Sequence, residues 1–394
     1  MLHSYSFKNF QSFADRTEVS MVLNNKAPAH GWQTRSVAGT RLSLALGVMG
    51  ANGAGKTIAL KPLAFTAWFV AFSFDAPPTD DIPVLPHFAH TDTPTEFESE
   101  AEDVEGVLWR YVLHATPKKV VHEALYRKRE RFNYVFTRDL NDSGDGYIIK
   151  QQGFGMPHAE ALKVRANASL ISTARQYGVE IAKHVADFHL VHNVNVRGRS
   201  TFAPEQVLRA ADLFARAQPL REQMIGLLKS WDLGLSDVAI REVTRTKSDA
   251  TASKVWVPFG VHEARNGAKH ILNFHDESSG TQAAFVLLGR VLTALSEGGL
   301  AVIDELDSDL HPHMVEPVLD LFDNPATNPH KAQLIFSAHT PQVLTVLQKA
   351  QVLFIEKRSC ESTAYRGDTI KGLRADDNLL AKYMAGALGA VPQV

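Results

Sequence analysis

The chain has 394 residues, of which 45% are hydrophobic and 21% are charged, and its formal net charge is −2. This length allows two or three domains, or one α/β domain with a large insertion. The near-neutral charge excludes a global basic field that recruits nucleic acid, so any DNA contact must be local, nucleotide-dependent or made by a partner. A single cysteine, Cys360, excludes an internal disulfide framework and a cysteine-based zinc site. Together with a start that lacks the apolar core of a signal peptide, it predicts a cytoplasmic protein.

The first predicted elements are short strands ahead of a glycine-rich loop. Leu2–Phe7 and Thr17–Val22 predict two strands joined through Lys8–Phe13, which has the sequence Lys-Asn-Phe-Gln-Ser-Phe. The apolar run Leu42–Val48 predicts a buried strand that leads directly into the loop.

The loop Gly50–Thr57 fits the pattern G-x-x-x-x-G-K-[ST], and an apolar segment of helical character, Ile58–Phe72, follows it. Glycines let backbone N–H groups curve around a phosphate, and the helix points its positive dipole end at the anion. Lys56 is expected to reach the β- and γ-phosphates, and the Thr57 hydroxyl to hold Mg²⁺. The sequence therefore predicts a nucleoside triphosphate site. The residues expected to bind the nucleotide are Gly50, Asn52, Gly53, Ala54, Gly55, Lys56 and Thr57.

The segment after the loop is the one membrane candidate in the sequence. It is too short, and it contains Lys61 and Pro62. A buried helix is predicted, with no membrane contact.

Residues 76–94 are rich in Pro, Asp and Thr and predict a surface loop, after which an antiparallel meander is predicted. Its strands are Thr95–Ser99, Gly106–Ala115, His122–Arg129 and Phe132–Thr137. A basic run within it, residues 127–131, suits either a nucleic-acid patch or a solvated edge strand whose charges oppose aggregation. The edge strand is the favoured interpretation.

Residues 159–233 have helical periodicity and predict a compact helical lobe. Its predicted helices are Ala168–Val185, Pro204–Phe214 and Leu220–Trp231. The lobe is too short for a long coiled-coil arm and lacks sustained heptads. Arg197 and Arg199 lie in a Gly/Asn loop between helices. They could touch the phosphate backbone of a nucleic acid, but a plain loop is favoured.

Strands are predicted again at Val238–Thr246, Lys254–Val261 and His270–Phe274, ahead of a second cluster of candidate residues. The apolar run 299–303 predicts a strand that ends in Asp304 and Glu305. There Asp304 can hold Mg²⁺ through water, and Glu305 can accept the proton of an attacking water.

Ser278, Ser279 and Gly280 precede a predicted helix about twenty residues before that strand. This region resembles the L-S-G-G-Q signature of ABC-type ATPases, with Ser278 at the signature serine and Ser279-Gly280 at its two glycines. The resemblance implies that these residues cap the γ-phosphate of ATP bound to another protomer. An ordinary helix cap is the alternative.

The segment Asp307–Pro312 occupies the place of the family's D-loop, and its Leu-His-Pro ending resembles the OLD and RecF-like ATPases. Ala332–Ser337 predicts a buried strand, and His339 after it matches the switch histidine that contacts γ-phosphate. Taken alone, a histidine at a strand end is usually only a polar terminus.

Both ends of the chain support a narrower resemblance. The Lys8–Phe13 turn is similar to the opening of SMC and RecF head domains. A last strand is predicted at Gln351–Lys357, with Ser362–Tyr365 as its neighbour. The tail, with Asp376–Tyr383 and Gly389–Pro392, resembles the end of ATPases from phage-defence operons.

Two features depart from these families. The Q-loop glutamine of transporter cassettes is missing or replaced, since no glutamine lies between Thr57 and Gln151. OLD proteins also carry a Toprim nuclease, and no acidic metal cluster remains here to build one. A nuclease would therefore come from a second polypeptide.

The expected fold is an α/β ABC-ATPase head with a mixed β-sheet core, an antiparallel β subdomain and an inserted helical lobe. The expected divisions are residues 1–158, the insertion 159–236, and residues 237–394, with the insertion as the place for a partner or sensor surface.

The resemblance implies an ATPase subunit of a bacterial antiviral defence system. ATP and Mg²⁺ would assemble at least a dimer, Glu305, His339 and Lys56 would catalyse hydrolysis, and the assembly would control a separate Toprim-like effector. The alternative is a RecF-like clamp that binds DNA when ATP closes the dimer; charge and lobe size disfavour it. A GTPase is rejected, because Asn25-Lys26-Ala27-Pro28 lacks the guanine-reading N-K-x-D pattern.

Overall fold

The computed structural model describes residues 1–200, 203–246, 252–308 and 310–391. Its strands, in chain order, are β1 (Leu2–Lys8), β2 (Thr17–Ser20), β3 (Gln33–Arg35), β4 (Arg41–Ser43), β5 (Ala45–Gly50), β6 (Thr95–Glu102), β7 (Leu108–Ala115), β8 (Val120–Lys128), β9 (Phe132–Leu140), β10 (Tyr147–Gln151), β11 (Leu190–His192), β12 (Val194–Asn195), β13 (Gly198–Arg199), β14 (Asp237–Thr246), β15 (Ala252–Glu263), β16 (Lys269–Asn273), β17 (Leu300–Ile303), β18 (Gln333–Ser337), β19 (Val352–Arg358) and β20 (Glu361–Arg366).

The α-helices of the same residues are α1 (Lys56–Phe72), α2 (His158–Ala161), α3 (Leu170–Gln176), α4 (Glu180–Ala186), α5 (Pro204–Arg216), α6 (Gln218–Ser230), α7 (Ser279–Glu297), α8 (Val315–Asp323) and α9 (Leu379–Met384).

A six-stranded mixed sheet, in the order β11-β17-β18-β5-β19-β20, organises the molecule. Its first five strands are parallel, and β20 pairs with β19 in the antiparallel sense at the edge. All six residues of β5 are buried, as expected for a parallel strand that is covered on both faces.

The pleat of the central sheet divides the interior into two hydrophobic cores, because successive side chains of a strand point to opposite faces. Leu46 and Val48 pack with α1 and the antiparallel sheet. Ala45 and Met49 pack on the other face, with α7 and α8. Alternate residues of a single strand thus contribute to both cores.

The antiparallel meander is confirmed and is larger than predicted. It is a seven-stranded sheet in the order β10-β9-β8-β7-β6-β1-β2. The prediction of an edge strand at residues 127–131 is wrong, because β8 pairs with both β7 and β9. The basic residues lie instead at the end of β8 and in the turn to β9.

The two sheets are joined by the buried side chain of Gln333 on β18. Its Oε1 accepts from the Leu2 N–H at 2.7 Å, and its Nε2 donates to the Leu2 carbonyl oxygen at 3.0 Å. Nε2 also lies 3.1 Å from the carbonyl oxygen of Ser43. One amide therefore fixes the antiparallel sheet against the start of the central one.

The segment 159–236 contributes to both faces of the central sheet and to the sheet itself. Its α3 and α4 contact α1, its α5 and α6 contact α7, and its β11 pairs with β17. The single helix predicted at Ala168–Val185 is wrong: Gly178, at φ +75°, separates α3 from α4. The domain divisions stay a prediction.

Among the described residues, one helical stretch is long and apolar enough to cross a membrane, Lys56–Asp75, and 61% of its most apolar window is buried inside the protein. This stretch contains α1, and a core helix has the same composition.

Candidate functional site

The carboxyl ends of β5, β17 and β18 lie side by side in the central sheet. The loop that carries Lys56 and Thr57 follows β5, Asp304 and Glu305 follow β17, and His339 follows β18. This edge is where open α/β sheets bind their ligands. The structure thus brings these five predicted residues to one edge.

The lysine of the phosphate-binding loop is turned back onto the loop. Lys56 Nζ donates to the carbonyl oxygens of Gly50 at 2.8 Å and Ala51 at 3.3 Å. Burial lowers the pKa of Lys56, so a bound anion would stabilise its charged form. The helix α1 begins after Gly55 without a side-chain hydrogen bond to cap it, which suits an anion at its N-terminus.

Two loop glycines are required by close packing. A Cβ on Gly50 would lie 2.5 Å from the carbonyl oxygen of Ile355 on β19. Gly55 has a φ of +114°, and a Cβ there would lie 2.9 Å from Ser362 Oγ. Glycine at position 50 therefore allows β5 and β19 to pack closely, and glycine at position 55 allows the backbone conformation of the loop. Asn52 and Gly53 lie exposed between them, and the Ala54 N–H donates to the Ala51 carbonyl oxygen at 3.1 Å.

The Lys8–Phe13 turn holds this loop from behind. Ser12 Oγ and Ser362 Oγ lie 2.7 Å apart, and Ser362 Oγ donates to the Ala54 carbonyl oxygen at 2.7 Å. Phe13 is fully buried. The turn at the start of the chain is therefore a support of the phosphate-binding loop.

Asp304 is buried and is fixed on every side. Thr57 Oγ1 donates to its Oδ2 at 2.8 Å, and Ser337 Oγ donates to its Oδ1 at 2.6 Å. Asn193 fixes its backbone, accepting from the Asp304 N–H at 2.7 Å and donating to the Asp304 carbonyl oxygen at 2.9 Å. The carboxylate is thereby held against the loop.

The Thr57 hydroxyl and the Asp304 carboxylate fit a Mg²⁺ ion. Magnesium prefers oxygen ligands and keeps several waters, so one or two protein oxygens plus nucleotide phosphates suffice. When bound, the ion would neutralise charge that develops on the phosphates. Thr57 Oγ1 would hold it directly, and Asp304 would hold it through water.

Glu305 has a backbone φ of +52°, a left-handed conformation that is rare for a residue other than glycine and common at functional sites. Its N–H donates to Ser337 Oγ at 2.7 Å. Its Oε2 forms an ion pair with Arg199, and its Oε1 lies 3.2 Å from His339 Nε2. Partial burial, followed by the charge of Lys56, lowers the pKa of His339.

The segment that matches the D-loop contributes a hydrogen-bond acceptor from its described residues. Asp307 accepts from the N–H groups of His339 and Thr340, with Oδ2 at 2.9 Å and 2.6 Å. It therefore shapes the segment that carries His339. Asp309 and, in the tail, Pro392 lie outside the described residues.

The signature-like residues Ser278, Ser279 and Gly280 lie at the start of α7. Ser278 Oγ accepts from the Thr281 N–H at 3.2 Å and caps α7. Within residues 1–200, 203–246, 252–308 and 310–391, no hydrogen bond or ion pair joins Ser278, Ser279 or Gly280 to the phosphate-binding loop. The structure does not bring them to the nucleotide edge of their own chain.

Two residues of the site, Asn193 and Ser337, were missed by sequence reasoning, and Arg199 was considered as a phosphate contact but set aside in favour of a plain loop. Asn193 and Arg199 follow β11, a strand of three residues inside a region of helical periodicity. The polar pair His192-Asn193 after the apolar pair Leu190-Val191 was the available signal. Ser337 was predicted only as a strand end.

The family model described as "AAA domain, putative AbiEii toxin, Type IV TA system" matches residues 46–345. No curated protein matches the chain.

Similar solved structures include an Smc head "bound to the C-winged helix domain of ScpA". It has 12% sequence identity and a TM-score of 0.50, over 92% of this chain and 96% of that chain. Another is an Smc head domain with a coiled coil and joint from Pyrococcus yayanosii, with 10% identity and a TM-score of 0.46, over 98% and 99% of the two chains. The first likeness shows the fold, that of an SMC-type ABC-ATPase head.

Proposed function

The chain belongs to this family of AAA domains, and from that premise we propose that it binds ATP with Mg²⁺ and hydrolyses the γ-phosphate. The observation that carries the proposal is the convergence of Lys56, Thr57, Asp304, Glu305 and His339 at one edge of the central sheet. Each supplies a group that phosphoryl transfer to water requires.

The roles follow from position. Lys56, now bonded to its own loop, would turn to the β- and γ-phosphates. Thr57 and Asp304 would hold Mg²⁺. Glu305 would take the proton of the attacking water, and His339, whose lowered pKa favours the neutral ring, would contact the γ-phosphate. Asn193 is our candidate to replace the missing Q-loop glutamine, because it follows the strand beside β17.

We further propose that the site is completed by a second copy of the chain. The cap of α7, with Ser278, Ser279 and Gly280, makes no bond to its own phosphate-binding loop in the described part of the chain, so it is available to a partner's nucleotide. A hydroxyl and bare N–H groups at a helix start suit a γ-phosphate. Binding energy shared across the interface would make assembly depend on ATP.

The biological role we propose is bacterial antiviral defence in the cytoplasm, with a separate effector, such as a Toprim-like nuclease, held or released by the ATPase. The toxin–antitoxin wording of the family description supports this role, and so does the resemblance of the sequence to defence ATPases. The segment 159–236 is the proposed partner surface.

The test is the mass in solution of Glu305→Gln protein, with and without ATP and Mg²⁺. Because the amide cannot accept the water's proton, turnover should fall about 10²-fold or more, and ATP should shift the mass to a dimer or larger assembly. Lys56→Ala removes the cation that binds the phosphate, so ATP should leave the mass of that variant unchanged.

A mass that is unchanged by ATP in Glu305→Gln, at ATP concentrations that saturate binding, would contradict the shared site. Tight binding of duplex DNA by the ATP-loaded protein, with a steep salt dependence, would favour the DNA clamp instead.

A further inference from the structure

The inference concerns Arg199, and it rests on the proposed ATPase function. Arg199 reaches the site from a short hairpin, β12–β13, that directly follows β11, an edge strand of the central sheet. The turn of the hairpin is fixed by Asn195 Oδ1, which accepts from the Arg197 N–H at 2.8 Å. Its base is fixed by the Ser200 N–H, which donates to the Asn193 carbonyl oxygen at 2.7 Å. These two hydrogen bonds fix the hairpin, and the hairpin places the Arg199 guanidinium beside Glu305.

The carboxylate of Glu305 is engaged at both oxygens, by Arg199 at Oε2 and by His339 at Oε1. A carboxylate held in an ion pair is directed at the guanidinium and not at an attacking water. In this arrangement the general base of the proposed reaction is restrained.

A second arginine makes this pairing easy to exchange. Arg290 of α7 lines the same small pocket as Arg199, Asn193 and Glu305. Burial and the nearby charge of Arg199 lower the pKa of Arg290, and no ion pair of Arg290 occurs within the described ranges of the chain. Arg199 and Arg290 thus line one pocket with a single carboxylate, that of Glu305, and the excess of positive charge among these lining residues attracts another anion.

Arg199 also has the capacity to bind that anion. Among the residues that the structure describes, its buried Nε has no hydrogen-bond partner, and a guanidinium offers donors in a planar fork that fits phosphate. The charges of Arg199 and Lys56 both act on the ring of His339. Arg199 thus lies within interaction range of the group proposed to meet the γ-phosphate.

We infer that Arg199 is a nucleotide-operated latch: it pairs with Glu305 in the nucleotide-free protein and moves to the γ-phosphate of ATP, which releases Glu305 to act as base. The exchange breaks one ion pair and forms another, with no covalent step. It confines the free base to molecules that hold a triphosphate, since ADP has no γ-phosphate to receive the arginine.

The test measures ATP and ADP binding in the Glu305→Gln background, where turnover is slow and the carboxylate charge is gone. Adding Arg199→Gln should weaken ATP binding about tenfold, the effect of losing one charge-assisted contact, and should leave ADP binding within about twofold. Arg197→Gln removes an equal charge from the exposed turn of the same hairpin and should change neither affinity.

Equal ATP affinity of Glu305→Gln and Glu305→Gln/Arg199→Gln would overturn the latch, because an arginine that only neutralises Glu305 has no role once that charge is removed. Failure of the ATPase proposal looks different. In that case the Glu305→Gln protein would bind ATP no better with Lys56 than with Lys56→Ala.

Discussion

Ser337 is the single side chain that connects the two acids of the site. Its hydroxyl donates to Asp304 Oδ1 at 2.6 Å and accepts from the Glu305 N–H at 2.7 Å. It is fully buried at the end of β18. One oxygen therefore sets both the orientation of the proposed magnesium ligand and the unusual backbone conformation of the proposed base.

We expect Ser337→Ala to lower ATP turnover about 10- to 100-fold, because partners that orient a metal ligand carry effects of this size. Ser43→Ala is a matched control: Ser43 is fully buried, its Oγ donates to the Ala45 carbonyl oxygen at 2.6 Å, and it lies at the end of β4, outside the central sheet and ahead of β5. The control should lose stability only. Unchanged turnover per folded molecule in Ser337→Ala would show that Ser337 does not position the acids.

At the scale of elements, a buried ionic cluster ties the meander to the helices that follow it. Glu123 on β8 and Arg138 on β9 are both fully buried, 3.4 Å apart. Glu123 also accepts from the Leu170 N–H at 2.9 Å, and Arg138 donates to the Ala168 carbonyl oxygen at 2.7 Å. The cluster fixes the start of α3 on the sheet.

Glu123→Gln should lower the free energy of unfolding by about 3–5 kcal/mol, because it leaves the Arg138 guanidinium buried without its counter-charge. Urea denaturation measures this. The double variant Glu123→Gln/Arg138→Gln, which removes both charges and keeps hydrogen-bonding groups at both positions, should lose less than the sum of the two single variants. A fully additive double variant would contradict the coupling of the two residues.

Which elements the sequence predicts depends on where their stabilising contacts come from. The meander strands were predicted because apolar and polar residues alternate within each strand. The phosphate-binding loop was predicted because its residues are close together in the sequence. β11 was missed because three residues become a strand only by pairing with β17, more than a hundred residues later. The position of β8 inside its sheet depends likewise on partners.

The same reasoning applies to the site. Lys56, Thr57, Asp304 and Glu305 were predicted from patterns with fixed spacing, whereas Arg199 has no pattern and reaches Glu305 through the hairpin after β11. The predicted roles of the signature-like residues need a second chain. The structure of a single chain therefore does not test these roles.

For the whole molecule, acid should weaken folding before the carboxylates titrate. Burial lowers the pKa of His3 and of His114 below the ordinary value of 6.5. The unfolded chain therefore binds more protons than the folded chain as the pH falls, and the stability present above pH 6.5 is lost as the pH drops through 6.5 toward the lowered values.

The thermal midpoint should thus be lower at pH 5.5 than at pH 7.5. His114→Gln cannot bind the proton and should lose less over this interval, whereas His158→Gln, at an exposed position, should behave as the unmodified protein does. Equal midpoints at the two pH values would contradict the prediction.

The order of strands in the central sheet also has a consequence during protein synthesis. β5, which leads into the phosphate-binding loop, lies between β18 and β19, and both are made long after it. At roughly 5–20 residues per second, the ribosome needs about 15–60 s after the end of β5 to reach the end of β19. Until β18 is made, this wholly apolar strand of the nascent chain has neither neighbour, while the meander can already pair. We therefore expect the nucleotide site to be among the last parts to form.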